Sequence, residues 1–405
     1  MNIFYKKLIF LSVITLAAQN TLSGQVTIGS NNPPLDGSLL QLKENQGNNA
    51  NSAKGIGMPR VSMVTTTPAL GQLAQSIGSS GTWDEVAHMG LLVYNTNACV
   101  NGTGMDNGLY VWNGTQWESL REITLSPDVQ TLTDPRDNET YLYRSFGDVA
   151  GVWMLENMCY IDPSFTASTG NSNNNSADRF YAYPNANVAT PGIAPSTWRK
   201  NQGLIYSYAA ATLGAQDAVG GVVDQGEGRP NQGPLTPIQG VCPAGWHVPS
   251  DSEWNQLEKE IYNNPQKYST YSSSAQFNPT TWNDTWNTTY NSRGSANGNG
   301  HGYAMLSPCL VPGATGVTTT GGTSLPASQG GFDIKLVGRA GGAYAGSFDN
   351  YGNYTTIWSS SVNGSTSAWF RSFDRGSFAD SPPYQVTRAN SSRSYINSVR
   401  CKKND

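Results

Sequence analysis

The stretch Cys242–Leu257, CPAGWHVPSDSEWNQL, is dense in local structural instruction. A cysteine, a Pro-Ala-Gly turn, a histidine held between Trp246 and Val248, and a Pro-Ser-Asp helix start follow one another without a spacer. Ser250 and Glu253 have the S-x-x-E spacing of a capping box, in which the hydroxyl accepts from the backbone three residues on and the carboxylate reaches back to the cap N–H. That spacing predicts a helix from about Asp251 to Tyr262, with Trp254, Leu257 and Ile261 on its buried face. The stretch reads as a fold signature. Trp246, His247, Ser250, Glu253 and Trp254 are structural in this reading, and His247 packs and hydrogen-bonds in place of serving as a general base.

Composition sets the class around this signature. Of 405 residues, 13% are charged and 37% hydrophobic, and 11 Trp and 20 Tyr argue against disorder, which is poor in aromatics. The length allows two or three domains. A net charge of -4 supplies no basic field for nucleic acid or an anionic membrane, so neither is expected as a partner.

Lys6 and Lys7 followed by the apolar run Leu8–Ala18 read as a secretory signal peptide over residues 1–24, cleaved after Gly24 or, alternatively, after Ala18. No later stretch approaches the roughly 20 apolar residues of a membrane span. Export permits disulfides among Cys99, Cys159, Cys242, Cys309 and Cys401, and the odd count leaves at least one thiol free or paired between chains. No C-x-x-C is present, so neither a zinc ribbon nor a redox pair is indicated.

Residues 25–120 form a small β-rich module. VTIG and PPLDGSLLQLKE suggest a strand and an amphipathic segment with Leu35, Leu39, Leu40 and Leu42 available for burial. GLLVYNTN and GLYVWNGTQWESL read as strands, with Asn113-Gly114 favouring a tight hairpin. Tyr110, Trp112 and Trp117 are either sheet packing or a ligand platform, with packing favoured.

From Ile123 the chain changes character. Strands are expected at Tyr141–Arg144 and Val152–Met154, a surface loop at Asp162–Asn175, a short buried helix within Gly203–Gly214, and a Gly/Pro-rich loop at Gly220–Pro237. Tyr268–Asn299 reads as a polar insertion, Phe332, Ile334 and Leu336 as an alternating strand, and TTIWSSS, SAWFRSF and SYINSVRCKK as closing strands.

Two resemblances follow from these motifs. The V-x-I-G, K-G-I-G-M-P-R, G-L-L-V-Y-N-T and W-N-G-T-Q-W series resembles an amino-terminal unit of secreted and surface proteins of Bacteroidota, which implies a base or stalk that oligomerises through residues 25–120. LTDPRDNETY, VWMLENM, GLIYSYAAA, CPAGWHVPSDSEW, GFDIKLVGR, IWSSS and SVRCKK occur in the order of the Fibrobacter succinogenes major paralogous domain, over residues 123–405. That family resembles the C-type lectin and formylglycine-generating-enzyme fold, which implies an α+β domain of short helices and loop-rich antiparallel sheet whose two ends meet in one sheet. The resemblance selects a Cys242–Cys401 disulfide, with Cys159–Cys309 as a weaker second pair.

Catalysis is not expected, and neither a cofactor nor a metal site is indicated. The histidines are His88, His247 and His301, and no Gly-x-Ser-x-Gly elbow, His-Glu-x-x-His or phosphate loop occurs. Trp282-Asn283-Asp284 matches a calcium-ligand tripeptide of sugar-binding lectins, but it stands far from Cys401 without the partner tripeptide and reads as a solvated loop. From Phe332 onward basic residues outnumber acidic ones among many aromatics. Tyr344, Tyr351, Tyr354, Trp369, Arg371, Phe373, Arg375 and Tyr384 are the candidate binding set, on the ground that Tyr, Trp and Arg dominate binding hot spots. The reading is a secreted or cell-surface, adhesin-like protein with an extracellular protein or glycan ligand, with diversification of Tyr344–Asn397 as a variant. The alternative is a structural subunit of an extracellular appendage or envelope assembly.

Overall fold

The computed structural model describes residues 25–45, 50–122, 124–170, 177–214, 237–295, 299–314, 321–341, 348–364, 366–375 and 384–405. The signal-peptide reading, nearly all of the Gly220–Pro237 loop, and Tyr344 lie outside the described residues. The chain divides into two compact units, Met1–Pro59 and Arg60–Asp405.

In the first unit Val26–Ile28 and Leu40–Leu42 pair in parallel. Leu35, Leu39, Leu40 and Leu42, expected to be buried, are instead 63%, 76%, 57% and 37% exposed.

In the second unit, Arg60–Val61, Leu92–Asn95, Gly108–Trp112 and Trp117–Ser119 make a four-stranded sheet. Tyr110, Trp112 and Trp117 are buried in it, so this aromatic set is packing. The expected tight hairpin is a four-residue loop. Trp112 pairs with Trp117, and the Asn113 side chain accepts from the N–H groups of Thr115 and Gln116. An Asx turn thus takes the work that a two-residue Asn-Gly turn would do.

The signature helix runs Asp251–Asn263 and begins with the complete capping box. Ser250 Oγ accepts from Glu253 N–H at 3.2 Å, and Ser250 N–H donates to Glu253 Oε2 at 2.7 Å. Trp254, Leu257 and Ile261 are fully buried, as their spacing predicts. Trp254 meets Trp153 edge to face at 5.1 Å and Phe332 at 5.8 Å. Each such buried side chain contributes about 1.5–3 kcal/mol. Pro265 lacks the donor to continue the helix, which stops just before it.

The two ends of the Val152–Lys403 region meet in one sheet. Lys402–Lys403 lies between Val152–Met154 and Trp246–His247, with Thr140–Ser145 and Gln130–Thr133 completing five strands. A larger sheet of ten described strands centres on Tyr354–Asn363 and Ser367–Asp374, which pair antiparallel from Tyr354–Asp374 to Asn363–Ser367. The register shifts between Trp358 and Val362, and the bulge made by Ser359–Ser361 receives the signature. Ser360 N–H donates to Pro249 O, and Ser361 Oγ accepts from Asp251 N–H, both at 2.9 Å. The residues IWSSS and VPSD therefore specify one joint.

Three local expectations change. Gly203–Gly214 is a strand, Ile205–Ser207, followed by a one-turn helix, Tyr208–Thr212, because Ser207 caps the helix through Ala210 N–H. Phe332, Ile334 and Leu336 are buried but do not form a strand, since Asp333 takes a left-handed φ of 50° that breaks the alternation. Val386–Ser392 is a central strand that the polar run VTRANSS conceals. Of the Tyr268–Asn299 insertion, Trp282 and Trp286 pack back onto Tyr262, at 5.6 and 5.9 Å.

Candidate functional site

The C-terminal candidates do not form an exposed face. Trp369, Arg371 and Phe373 are fully buried, Tyr354 and Arg375 nearly so, and Tyr344 lies outside the described residues. Half-buried Tyr351 donates to Pro312 O at 2.9 Å, and half-buried Tyr384 packs on Tyr303 at 4.2 Å. The reason is electrostatic. Arg371 Nη1 reaches Asp251 Oδ1 at 2.6 Å and its Nε reaches Glu258 Oε1 at 2.5 Å. Arg388 pairs with Asp251 Oδ2 at 2.7 Å while its guanidinium covers the Trp369 ring at 3.6 Å. Arg293 Nη1 donates to Glu258 Oε1 at 2.7 Å, and Asn255 Oδ1 accepts from both Arg293 and Arg371 at 2.8 Å. These side chains bind the signature helix to the central strands and have no surface to offer. Strands buried on both faces also tolerate little change of volume, which restricts variation within Tyr354–Asn363 and Ser367–Asp374.

This network sets a pH dependence. Burial pushes the Glu258 carboxyl up, but the charges of Arg293 and Arg371 outweigh it and hold the group well below the usual carboxylate range. Burial likewise opposes ionisation of Asp251, and Arg371 and Arg388 prevail. At Glu253 burial is overcome by the His247 hydrogen bond and charge and by Lys402, leaving it at about 2. Folded pKa values below the unfolded ones give stability that is complete above the unfolded value and is lost as pH falls through the folded one. Thermal melts are expected to be flat above about pH 4.5 and to fall steadily toward pH 2 and below, with Glu258→Gln lowering the plateau and flattening the slope. A melting temperature that stays constant from pH 5 to 2 contradicts the assignment.

The signature residues sit as structural parts. His247 Nε2 is 2.9 Å from Glu253 Oε1 and its Nδ1 is 2.7 Å from Asn404 Oδ1, so both ring nitrogens are engaged. Trp246 is buried against the Tyr143 ring at 5.3 Å. Cys242 and Cys401 are bonded. The second bridge is Cys99–Cys309, which corrects the Cys159–Cys309 expectation; Cys159 is a free thiol. Cys309 is held beside the 97–106 loop by the bridge to Cys99, and Lys335 Nζ also donates to Gly102 O there at 2.6 Å.

What the fold does present is a set of half-buried aromatic rings, Tyr160, Tyr181, Tyr183 and Trp198. Tyr183 meets Trp198 edge to face at 5.2 Å and Tyr181 at 6.3 Å. Tyr160 is fixed from below by Tyr206, whose hydroxyl donates to Tyr160 O at 2.9 Å, and is covered by the Arg136 guanidinium at 3.9 Å. Arg136 is itself anchored by Asp134 at 2.6 Å and by Val241 O at 2.9 Å, next to the signature cysteine. Lys200 stands over the Tyr141 ring at 4.1 Å and 3.4 Å from Glu156. Trp198 Nε1 donates to Gly203 O at 2.8 Å, which locks its ring. Cys159 lies beneath, 3.1 Å from the Tyr141 hydroxyl; burial pushes its thiol up to about 11, so it stays protonated at neutral pH and is no nucleophile.

Tyr141 and Tyr143 lie on one face of their strand, and Leu142, on the other, lines a cavity of about 410 Å³. Leu125, Leu155, Glu156 and the Asp333–Lys335 ion pair also line it. Sequence reasoning missed these rings because they come from three separated segments. Composition alone flagged only the tail, where aromatics and arginines are contiguous.

These features define an α+β, disulfide-stapled domain. The chain belongs to the Fibrobacter succinogenes major domain family, which it matches over residues 150–403. Residues 27–134 match the phage tail like trimerisation region. No curated protein and no solved structure matches the chain. Among the described residues no helix is long and apolar enough to cross a membrane, and the two disulfides fit an extracellular setting.

Proposed function

We propose that this is a secreted or cell-surface binding protein of the adhesin kind, in which residues 27–134 assemble three copies and a lectin-like domain displays the ligand face. The fold reading is supported by the sheet in which Lys402 joins Trp153, bringing the two ends of the domain together. The binding reading is carried by one observation, the half-buried rings of Tyr160, Tyr181, Tyr183 and Trp198 beside Lys200 and Arg136. Rigid aromatic rings offer large contact area at small entropic cost, and the flanking charges add orientation. The ligand is an extracellular glycan or protein, and no catalytic step is assigned.

Arrays of glycans and of extracellular proteins probed with the full chain test this. Trp198→Ala and Tyr183→Ala are each expected to weaken the selected ligand by roughly 30-fold, the effect of losing a hot-spot side chain worth about 2 kcal/mol, in a chain whose melting transition shows it still folded at the assay temperature. Unaltered binding by both variants removes these rings as the ligand face. The second reading, a structural subunit of an envelope assembly, is favoured by the exposed aliphatic residues of the first unit. It predicts open-ended polymer in place of a closed species of defined mass.

A further inference from the structure

We propose that Val26, Ile28, Leu40 and Leu42 form the face on which three copies of this chain meet. This rests on the trimeric reading above and gives it a location. The parallel register sets Val26 beside Leu40 and Ile28 beside Leu42, with Thr27 beside Gln41 between them. Strand alternation then puts all four aliphatic side chains on one face and the two polar ones on the other. The apolar row is the more exposed: Val26 51%, Ile28 56%, Leu40 57% and Leu42 37%, while Thr27 and Gln41 are half-buried. That polarity is inverted for a sheet in water.

Nor does the first unit have a core to hold it. Each of the four buried apolar clusters among the described residues is built from residues at or after Val61. Two three-residue strands are not independently stable, and segments shorter than about 40 residues usually need a disulfide, a metal or another chain. No cysteine precedes Cys99. Another chain remains, and the match to a trimerisation region that begins at Thr27 names the same chain. Three identical faces around one axis close on themselves and leave none exposed. Electrostatics permit it, since Asp36 is the single charged residue in Gln25–Leu42, so little like charge gathers as the copies meet.

The test measures the mass of the full chain by light scattering at low micromolar concentration. The unaltered chain is expected at three chain masses, the Ile28→Asp/Leu40→Asp variant at one, and the exposed Asn31→Asp control at three. The melting transition of the Arg60–Asp405 unit is expected to be retained in each. A second variant does not rely on disruption: Leu40→Cys in a Cys159→Ser background is expected to give interchain disulfide-linked dimers under mild oxidation. A trimer that persists in the double aspartate variant, or a trimeric Leu40→Cys chain that does not crosslink, overturns the proposed face and leaves the trimeric reading standing. An unaltered chain at one chain mass overturns both.

Discussion

Arg371→Ala is expected to cost roughly 3–5 kcal/mol, because the side chain it removes is the common partner of two carboxylates that water cannot reach. Asp251, Glu258, Arg293, Arg371 and Arg388 are each fully buried. Three guanidiniums, two carboxylates and Asn255 satisfy one another there at 2.5–2.8 Å. Deleting Arg371 leaves Glu258 with Arg293 and His301, and Asp251 with Arg388 alone. The loss is mainly the cost of stranded charge. A fall in melting temperature of at least roughly 5–10 °C follows for a domain of this size. Arg371→Lys keeps the charge and loses the fork that serves both acids, so its effect is intermediate. Calorimetry on the purified chain decides the matter. If Arg371→Ala melts within 2 °C of the unaltered protein while ligand binding disappears, the arginine belongs to a binding surface after all and the buried network is refuted.

The two roles of such an arginine look alike in sequence, and this explains what was legible. Arg371 and Arg388 stand among aromatics in the tail, as ligand-contacting arginines do, but their acid partners lie 113 and more residues earlier, on the signature helix. Local instruction was readable wherever cause and effect are close in the chain. Ser250 and Glu253 fix the helix start three residues apart, and Trp254, Leu257 and Ile261 fix its buried stripe. Failure came where a distant segment decides. Val386–Ser392 is polar in sequence yet becomes a central strand because Ser367–Asp374 pairs with it and the signature helix supplies carboxylates for its Arg388. Leu39 and Leu40 look like core residues, yet they are 76% and 57% exposed among the described residues. The half-buried rings of Tyr160, Tyr181, Tyr183 and Trp198 come from three segments, and no periodicity announces that.

Cysteine pairing shows the same division, and its removal has the other large effect. Cys242 is tied to Cys401 across 159 residues and Cys99 to Cys309 across 210. In the chain-entropy account, closing loops of this length removes about 5 kcal/mol of unfolded-state freedom for each bridge, and the two loops interleave, so their effects do not simply add. Cys242→Ala/Cys401→Ala is expected to lose about that amount, since both sulfurs are also fully buried between Val241, Trp246 and Val399 in one apolar cluster. Cys99→Ala/Cys309→Ala loses its entropic share but keeps a native tether, because Lys335 Nζ still joins Gly102 O, Ser307 Oγ and Asp333. Its melting temperature is therefore expected to lie above that of the first pair. Peptide mapping without reductant is the direct check. It should return Cys99–Cys309 and Cys242–Cys401 as linked peptides and Cys159 as the lone thiol, slow to alkylate until the fold is opened because its half-buried sulfur stays protonated. A Cys159–Cys309 peptide as the major species would refute the Cys99–Cys309 bridge.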